Sequence, residues 1–335
     1  MRAIACVRDI LVQAIEKLLV KSVVNIGKSS TMDDVSLHAH GTECLNDVPG
    51  FKKHQKLRHM TSTLQLQFTS DDGGKHAIKF RYLGAGESRV VYSSCDDQHP
   101  YVLKISHLSY KKDDNKLEYD VSKDMPAWLV PRVFHYGTQA LCHQKISLLV
   151  VERFELTMSE IIDMVQTLPF EFETFKWYIK AIGAVLLLIW RVATETSLTV
   201  SDWHIQNLAI SEWPQGEMRL IDWADTTSNA GVAAYTRIKQ ARVSFLQYMP
   251  GLAKPTQTAK SVKDWLEIQE KVSIYIGKKW WPKGLFAGSA MHGVPEEADI
   301  VELQRTLLTK FGGSFPKNTF EGPSSLFLTR SEQYS

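Results

Sequence analysis

Two aspartates and one asparagine have the residue types and the spacing that phosphoryl transfer requires. Asn207 follows Asp202 by five positions, and Asp222 comes after the short apolar pair Leu220-Ile221. The first carboxylate can orient and deprotonate a hydroxyl, while an amide oxygen and a second carboxylate are the hard ligands that Mg²⁺ prefers. Each residue also has an ordinary role, because Asp and Asn are common in turns and helix caps. The spacing indicates a phosphoryl-transfer site without excluding those local roles.

A second group of residues lies upstream, in the order that such a site needs. Residues 80–92 predict a strand, a turn containing Gly84 and Gly86, and a second strand, and residues 101–105 predict a third strand that carries Lys104. A glycine turn lets backbone N–H groups approach phosphates, and a lysine on a strand can neutralise their charge. Alone, the glycines would suit a hairpin turn, and the lysine could extend to solvent. Together the glycine turn, the strand with Lys104, the Asp202–Asn207 spacing and Asp222 favour a nucleotide site.

In this order the motifs resemble those of the protein-kinase-like superfamily, which includes eukaryotic-type protein kinases and the aminoglycoside and choline kinases. The resemblance covers residues 76–226 and marks a divergent member. It implies an α+β fold of two lobes, a β-rich N-lobe and an α-helical C-lobe. It also implies ATP and Mg²⁺ as cofactors, and transfer of the γ-phosphoryl group to a hydroxyl on a protein or a small molecule.

The resemblance assigns a role to individual residues. Asp202 would be the catalytic residue that orients the acceptor, and Lys104 would hold the phosphates. Glu118 would pair with Lys104 from a helix, with Asp114 and Asp120 as nearby alternatives. The metal ligands would be Asn207 and Asp222. The other residues that would bind ATP belong to the glycine turn and to the hinge after the fifth strand: Gly84, Gly86, Ser88, Val91, Glu152 and Phe154.

Several departures from the family pattern leave the function open. Val200-Ser201 replace His-Arg before the catalytic aspartate, and Trp223-Ala224 replace Phe-Gly after the metal aspartate. Arg89 stands where the third loop glycine would be, and no Ala-Pro-Glu triplet follows. The favoured hypothesis is a divergent protein kinase. The alternatives are a small-molecule kinase of the aminoglycoside or choline kinase type and a nucleotide-binding pseudokinase scaffold.

Periodicity divides the chain into four predicted segments. Residues 1–60 read as a helix (Met1 to Val24) plus a polar linker, 61–154 as the N-lobe, 155–320 as the C-lobe and 321–335 as a tail. Strands are predicted at 64–68, 77–83, 89–94, 101–105, 132–136, 146–152, 208–210 and 218–221, and helices at 158–166, 172–196, 232–248, 261–277 and 295–310.

Composition sets broader limits. The 335 residues are 44% hydrophobic and 23% charged, with a net charge of +2. This balance gives no general attraction to nucleic acid or to anionic membranes. Four cysteines lack metal-binding spacing, and the apolar run 181–190 is too short to span a bilayer. With no recognisable signal peptide at the N-terminus, a cytoplasmic protein is expected.

Overall fold

Seven antiparallel strands form one sheet in the first part of the chain. The computed structural model describes residues 32–40, 63–70, 73–85, 89–95, 100–108, 113–141, 144–210, 216–228, 231–249, 260–279 and 297–315. The predicted helix at 1–24 and the predicted tail at 321–335 lie outside them. The sheet runs in the order β1-β2-β3-β4-β5-β7-β6. Its strands are β1 (Met32–His40), β2 (Thr63–Ser70), β3 (Lys75–Ala85), β4 (Arg89–Ser94), β5 (Tyr101–His107), β6 (Val133–Leu141) and β7 (Gln144–Glu152).

The two edge strands of this sheet meet. On β6, the side-chain amide of Gln139 donates to the backbone oxygen of Leu37 at 3.0 Å and accepts from its N–H at 3.1 Å, which links β6 to β1. These bonds satisfy backbone groups that an open edge would expose. The sheet is therefore nearly closed, like a barrel, around a core that includes Leu64, Phe80 and Leu103.

Strand β1 corrects one part of the predicted domain organisation. Residues 27–50 read as a polar linker, yet Met32–His40 pairs antiparallel with β2. Among the side chains of this strand that the structure describes, Met32, Val35 and Leu37 pack against the core inside the sheet. A strand with so few apolar residues gives a weak period-two pattern, and its partner supplies the rest of the pairing.

The described residues also form six α-helices, the first of them between β5 and β6, and five short strands after β7. The helices are α1 (Asp114–Ser122), α2 (Met158–Thr167), α3 (Phe172–Glu195), α4 (Ala234–Tyr248), α5 (Lys260–Lys279) and α6 (Glu297–Gly312), and the short strands are β8 (Leu156–Thr157), β9 (Leu198–Val200), β10 (Leu208–Ile210), β11 (Met218–Leu220) and β12 (Thr226–Ser228). The strands and helices predicted from periodicity are present at these positions, with boundaries that differ by a few residues.

The way these elements assemble differs from the prediction. Strand β7 serves two cores: Ile146, Leu148 and Val150 pack inside the sheet, whereas Leu149 and Val151 pack with helices α2 and α3. The sheet and the helices therefore share a strand, and two small sheets (β11-β10-β8 and β12-β9) lie among the helices. The predicted α+β, bilobal protein-kinase-like fold, with a β-rich N-lobe and an α-helical C-lobe, is wrong. The chain instead has a nearly closed seven-stranded antiparallel sheet with several helices.

Helix α3 is the longest described helix and the centre of the helical core. By length and composition alone it would suit a membrane span, but 61% of its most apolar window is buried inside the protein. Phe175, Ile182, Leu186 and Ile189 pack against the neighbouring helices. The helix predicted at 172–196 is present, and its apolar run lies in the core of the helices.

Candidate active site

Strand alternation directs Lys104 away from the core of the sheet. On β5, Leu103 and Ile105 point into that core, so Lys104 between them points to the opposite face. Gly84, Val91 and Lys104 are successive cross-strand neighbours on β3, β4 and β5. A lysine and the end of the glycine turn thus lie side by side on the face where helix α1 packs.

Lys104 and Glu118 form a buried ion pair. The ammonium Nζ lies 2.6 Å from Glu118 Oε2 and donates to the backbone oxygen of Ile221 at 2.5 Å. Glu118 is fully buried, and Lys104 is nearly so. Of the three acidic candidates for the partner of Lys104, Glu118 is the one that pairs with it. Asp120 instead pairs with two exposed lysines close to it in the sequence.

Helix α1 is held in place so that Glu118 faces the lysine. Asp113 caps the helix by accepting from Lys116 N, and it also accepts from Ser147 Oγ at 2.7 Å and Tyr136 Oη at 2.9 Å. Asn115 Nδ2 donates to the backbone oxygen of Lys104 at 3.1 Å. These polar bonds fix the helix against β5, β6 and β7, and therefore fix the position of Glu118.

Arg89 is a fourth charged residue at this point, and sequence reasoning gave it no role. Its Nη1 lies 2.5 Å from Glu118 Oε1, and its Nη2 lies 2.8 Å from Asp222 Oδ2. We call Arg89, Lys104, Glu118 and Asp222 the buried charge cluster. Two positive and two negative groups balance in it, as burial of charge requires.

The cluster shifts the pKa values of its members. Burial alone would raise the pKa of Asp222, but the positive charges of Arg89 and Lys104 outweigh it and hold that pKa well below its ordinary value. Burial raises the pKa of Glu118 and lowers the pKa of Lys104, because each loses hydration of its charged form. Burial also opposes the charge of Arg89, yet the carboxylates of Glu118 and Asp222 raise its pKa, so the guanidinium stays protonated.

Asp202 is exposed and Asn207 is half-buried, and local hydrogen bonds hold both side chains. Asp202 accepts from the backbone N–H of His204 at 3.2 Å and from Asn207 Nδ2 at 2.9 Å. His204 in turn caps the short 3₁₀ helix Ile205–Asn207 by accepting from Gln206 N at 3.2 Å. His204 therefore has a structural role in this loop. We call residues 201–207 the Asp202 loop.

One backbone bond joins this loop to the buried charge cluster. Ile221 N donates to the backbone oxygen of Asn207 at 2.9 Å, and the oxygen of Ile221 accepts from Lys104. Asp202, Asn207 and Asp222 line one cavity of about 40 Å³, together with Asp225 and Thr226. Three of the four predicted side chains, Asp202, Asn207 and Asp222, therefore line the cavity, and Lys104 is linked to them through the backbone of Ile221.

The donor set around this cavity suits Mg²⁺. Among the described residues, no group of three or more His, Cys, Asp or Glu side chains is arranged to hold a metal. Mg²⁺ usually takes only one or two carboxylates from a protein and keeps several waters. Asp222 and the amide oxygen of Asn207 provide that smaller set. Arg89, however, already neutralises one oxygen of Asp222.

The remaining predicted ATP-binding residues are placed only in part. Gly86 and Ser88 lie outside the described residues. Val91 is half-buried beside Lys104. In the predicted hinge, the N–H of Glu152 donates to Arg132 O and its carboxylate lies 3.3 Å from Arg219, while Phe154 packs under Arg219. Because the N–H of Glu152 is already bonded, only its carbonyl oxygen could form a backbone hydrogen bond with adenine.

Trp223 is a second residue of the site that the sequence analysis missed. Its Nε1 donates to the backbone oxygen of Glu118 at 2.8 Å, and the Lys104 ammonium lies 4.6 Å from its ring centre. The sequence noted Trp223 only as a departure from Phe. Arg89 had a detectable signal, because on a strand it shares a face with Val91 two positions later.

Comparison with known proteins gives no relative: no family model matches the chain, and no curated protein matches it. The function is therefore inferred from the residues and their geometry.

Proposed function

We propose that this protein is an ATP-dependent phosphotransferase that moves the γ-phosphoryl group to a hydroxyl acceptor, as a divergent protein kinase. The observation that carries the proposal is the position of Lys104. Its ammonium is buried, paired with Glu118, and bonded to the residue before Asp222. A fixed positive charge next to a cavity lined by three carboxylates and an amide suits a triphosphate bound with a divalent cation.

Each residue has a task in this proposal. Lys104 holds the α- and β-phosphates, and Glu118 keeps the ammonium in place. Asp202, an exposed residue that lines the cavity, orients the acceptor hydroxyl and takes its proton as the bond from that oxygen to the γ-phosphorus forms and the bond from phosphorus to ADP breaks. Asn207 keeps Asp202 oriented through its side-chain amide. Positioning and charge neutralisation supply most of the rate, because the transition state is loose.

Asn207 and Asp222 would hold Mg²⁺. When bound, Mg²⁺ supplies positive charge that neutralises the phosphate oxygens. Asp222 suits this task because its pKa lies well below the ordinary value, so the carboxylate is ionised at neutral pH.

One observation favours a second candidate, a nucleotide-binding pseudokinase that acts as a scaffold. Asp222 is already paired with Arg89, so the positive charge that a metal would bring is supplied by the protein. A scaffold of this kind would bind nucleotide without transferring phosphate.

A nucleotide-binding test separates these candidates. Thermal shift is measured with ATP, with and without Mg²⁺, for the wild-type chain and for Lys104→Met. Transfer of radiolabel from γ-labelled ATP is then followed to a peptide library and to a panel of hydroxylated metabolites. A phosphotransferase gives a shift that Lys104→Met removes, and label on one class of acceptor.

The other outcomes are equally clear. A shift without transfer in either acceptor class supports the scaffold. No shift with any nucleotide, in a wild-type chain that unfolds cooperatively, refutes both candidates. Lys180→Met is the matched control, because Lys180 lies on α3 away from the cavity and its loss should leave the shift unchanged.

A further inference from the structure

Arg89 holds the carboxylate that a divalent cation would need. Its Nη2 lies 2.8 Å from Asp222 Oδ2, and its Nη1 is anchored by Glu118. The guanidinium is buried, with 9% of its side chain exposed, whereas 43% of the Asp222 side chain is exposed and lines the cavity. Asp222 is therefore accessible from the cavity on one side and neutralised from within the protein on the other.

We infer that Arg89 competes with a divalent cation for Asp222, so that the cation binds tightly only when the Arg89–Asp222 ion pair opens. The inference rests on the proposed function, since it concerns the metal position of that site. A cation on Asp222 would lie close to the guanidinium, and like charges at such separations in a partly desolvated site repel strongly. Glu118 keeps the guanidinium from moving freely, because it holds Nη1.

The position of Arg89 in the chain makes this competition specific to the site. Arg89 is the first residue of β4 and the first described residue after the glycine turn. It shares the face of the sheet with Val91 and Lys104. The strand that follows the predicted phosphate-binding turn therefore carries the guanidinium that is paired with Asp222, the predicted metal ligand.

The test measures binding of Mn²⁺ alone, without nucleotide or acceptor. Free and bound Mn²⁺ are distinguished by electron paramagnetic resonance for the wild-type chain and for Arg89→Met, which keeps an unbranched side chain but removes the charge. We expect Arg89→Met to bind Mn²⁺ about tenfold more tightly or better, because close charge pairs of this kind couple by at least that factor. Arg89→Lys keeps a cation and should stay close to the wild type.

Two further variants make the result decisive. In Arg89→Met combined with Asp222→Asn the gain should disappear, since the ligand is gone. If Arg89→Met alone does not unfold cooperatively, Arg89→Met with Glu118→Gln removes one charge of each sign and takes its place. Unchanged or weaker Mn²⁺ binding in the folded variant overturns the inference, as does a gain that survives loss of Asp222. Mn²⁺ binding is independent of phosphate transfer, so a tighter variant in a chain that transfers no phosphate refutes the proposed function and leaves the inference intact.

Discussion

The buried charge cluster and the Asp202 loop both contribute residues to one cavity but are held by different kinds of contact. The cluster joins β4, β5, α1 and the turn after β11 by ion pairs between side chains that are far apart in the sequence, and three of its members are buried. The Asp202 side chain is exposed and accepts from residues two and five positions away, while backbone and hydroxyl bonds to residues 221 and 225 hold the rest of the loop. Stability should therefore depend on the cluster more than on the Asp202 side chain, and chemistry on Asp202.

The largest effect is expected from Glu118→Gln. This change leaves the ammonium of Lys104 and the guanidinium of Arg89 buried without their shared carboxylate, and breaking a buried ion pair costs about 3–5 kcal/mol. Urea unfolding, followed by circular dichroism, measures the loss. Asp120→Asn on the same helix is the control, because Asp120 is solvent-exposed and its loss should matter far less. Equal losses in the two variants would erase the distinction between the buried and exposed regions.

A smaller effect is expected from Trp223→Phe. The indole N–H that donates to Glu118 O is lost, and the Lys104 ammonium faces a weaker ring. A buried hydrogen bond and some packing are removed together, so the unfolding free energy should fall by about 2 kcal/mol. Trp265→Phe provides the comparison, because Trp265 is a buried tryptophan of the helical core whose Nε1 donates to Leu168 O. If the two variants weakened the binding of ATP equally, or neither did, the indole of Trp223 would have no special part in positioning Glu118.

Some features of the fold and of the candidate site could be predicted from the sequence, and others could not. Local elements were predictable, because periodicity depends on near neighbours, and the pairing of Lys104 with Glu118 was an expectation taken from the family resemblance, with Asp114 and Asp120 as alternatives. The closure of the sheet was not predictable, because it depends on hydrogen bonds between Gln139 on one edge strand and Leu37 on the other. Arg89 was missed for the same reason: its partners lie on α1 and after β11. The bilobal prediction failed because no pattern indicates that β7 serves two cores.

Asp202→Asn should separate stability from chemistry. The Asp202 side chain is exposed, and asparagine keeps an oxygen that can accept from the backbone N–H of His204, so the unfolding free energy should change by no more than about 0.5 kcal/mol. Under the proposed function, phosphate transfer should fall by about 100-fold or more, because the general base is lost. Asp225→Asn, another aspartate of the same cavity, is the control and should retain transfer. A large loss of stability in Asp202→Asn would show that the loop is structural.

The smallest effect concerns Tyr136, which anchors helix α1, and it is a loss of stability that occurs only at high pH. Burial, reinforced by Asp113, raises the pKa of Tyr136 to about 12. Since this exceeds the unfolded value of about 10, the stability that the protonated hydroxyl contributes is fully present below about pH 10 and is lost as the pH rises to about 12. The difference in unfolding free energy between the wild type and Tyr136→Phe should shrink across that window. The bond from Tyr136 to Asp113 positions the helix that carries Glu118. A difference in unfolding free energy between the two proteins that stayed constant from about pH 8 to about pH 12 would therefore mean that the phenol does not stabilise the buried charge cluster through α1.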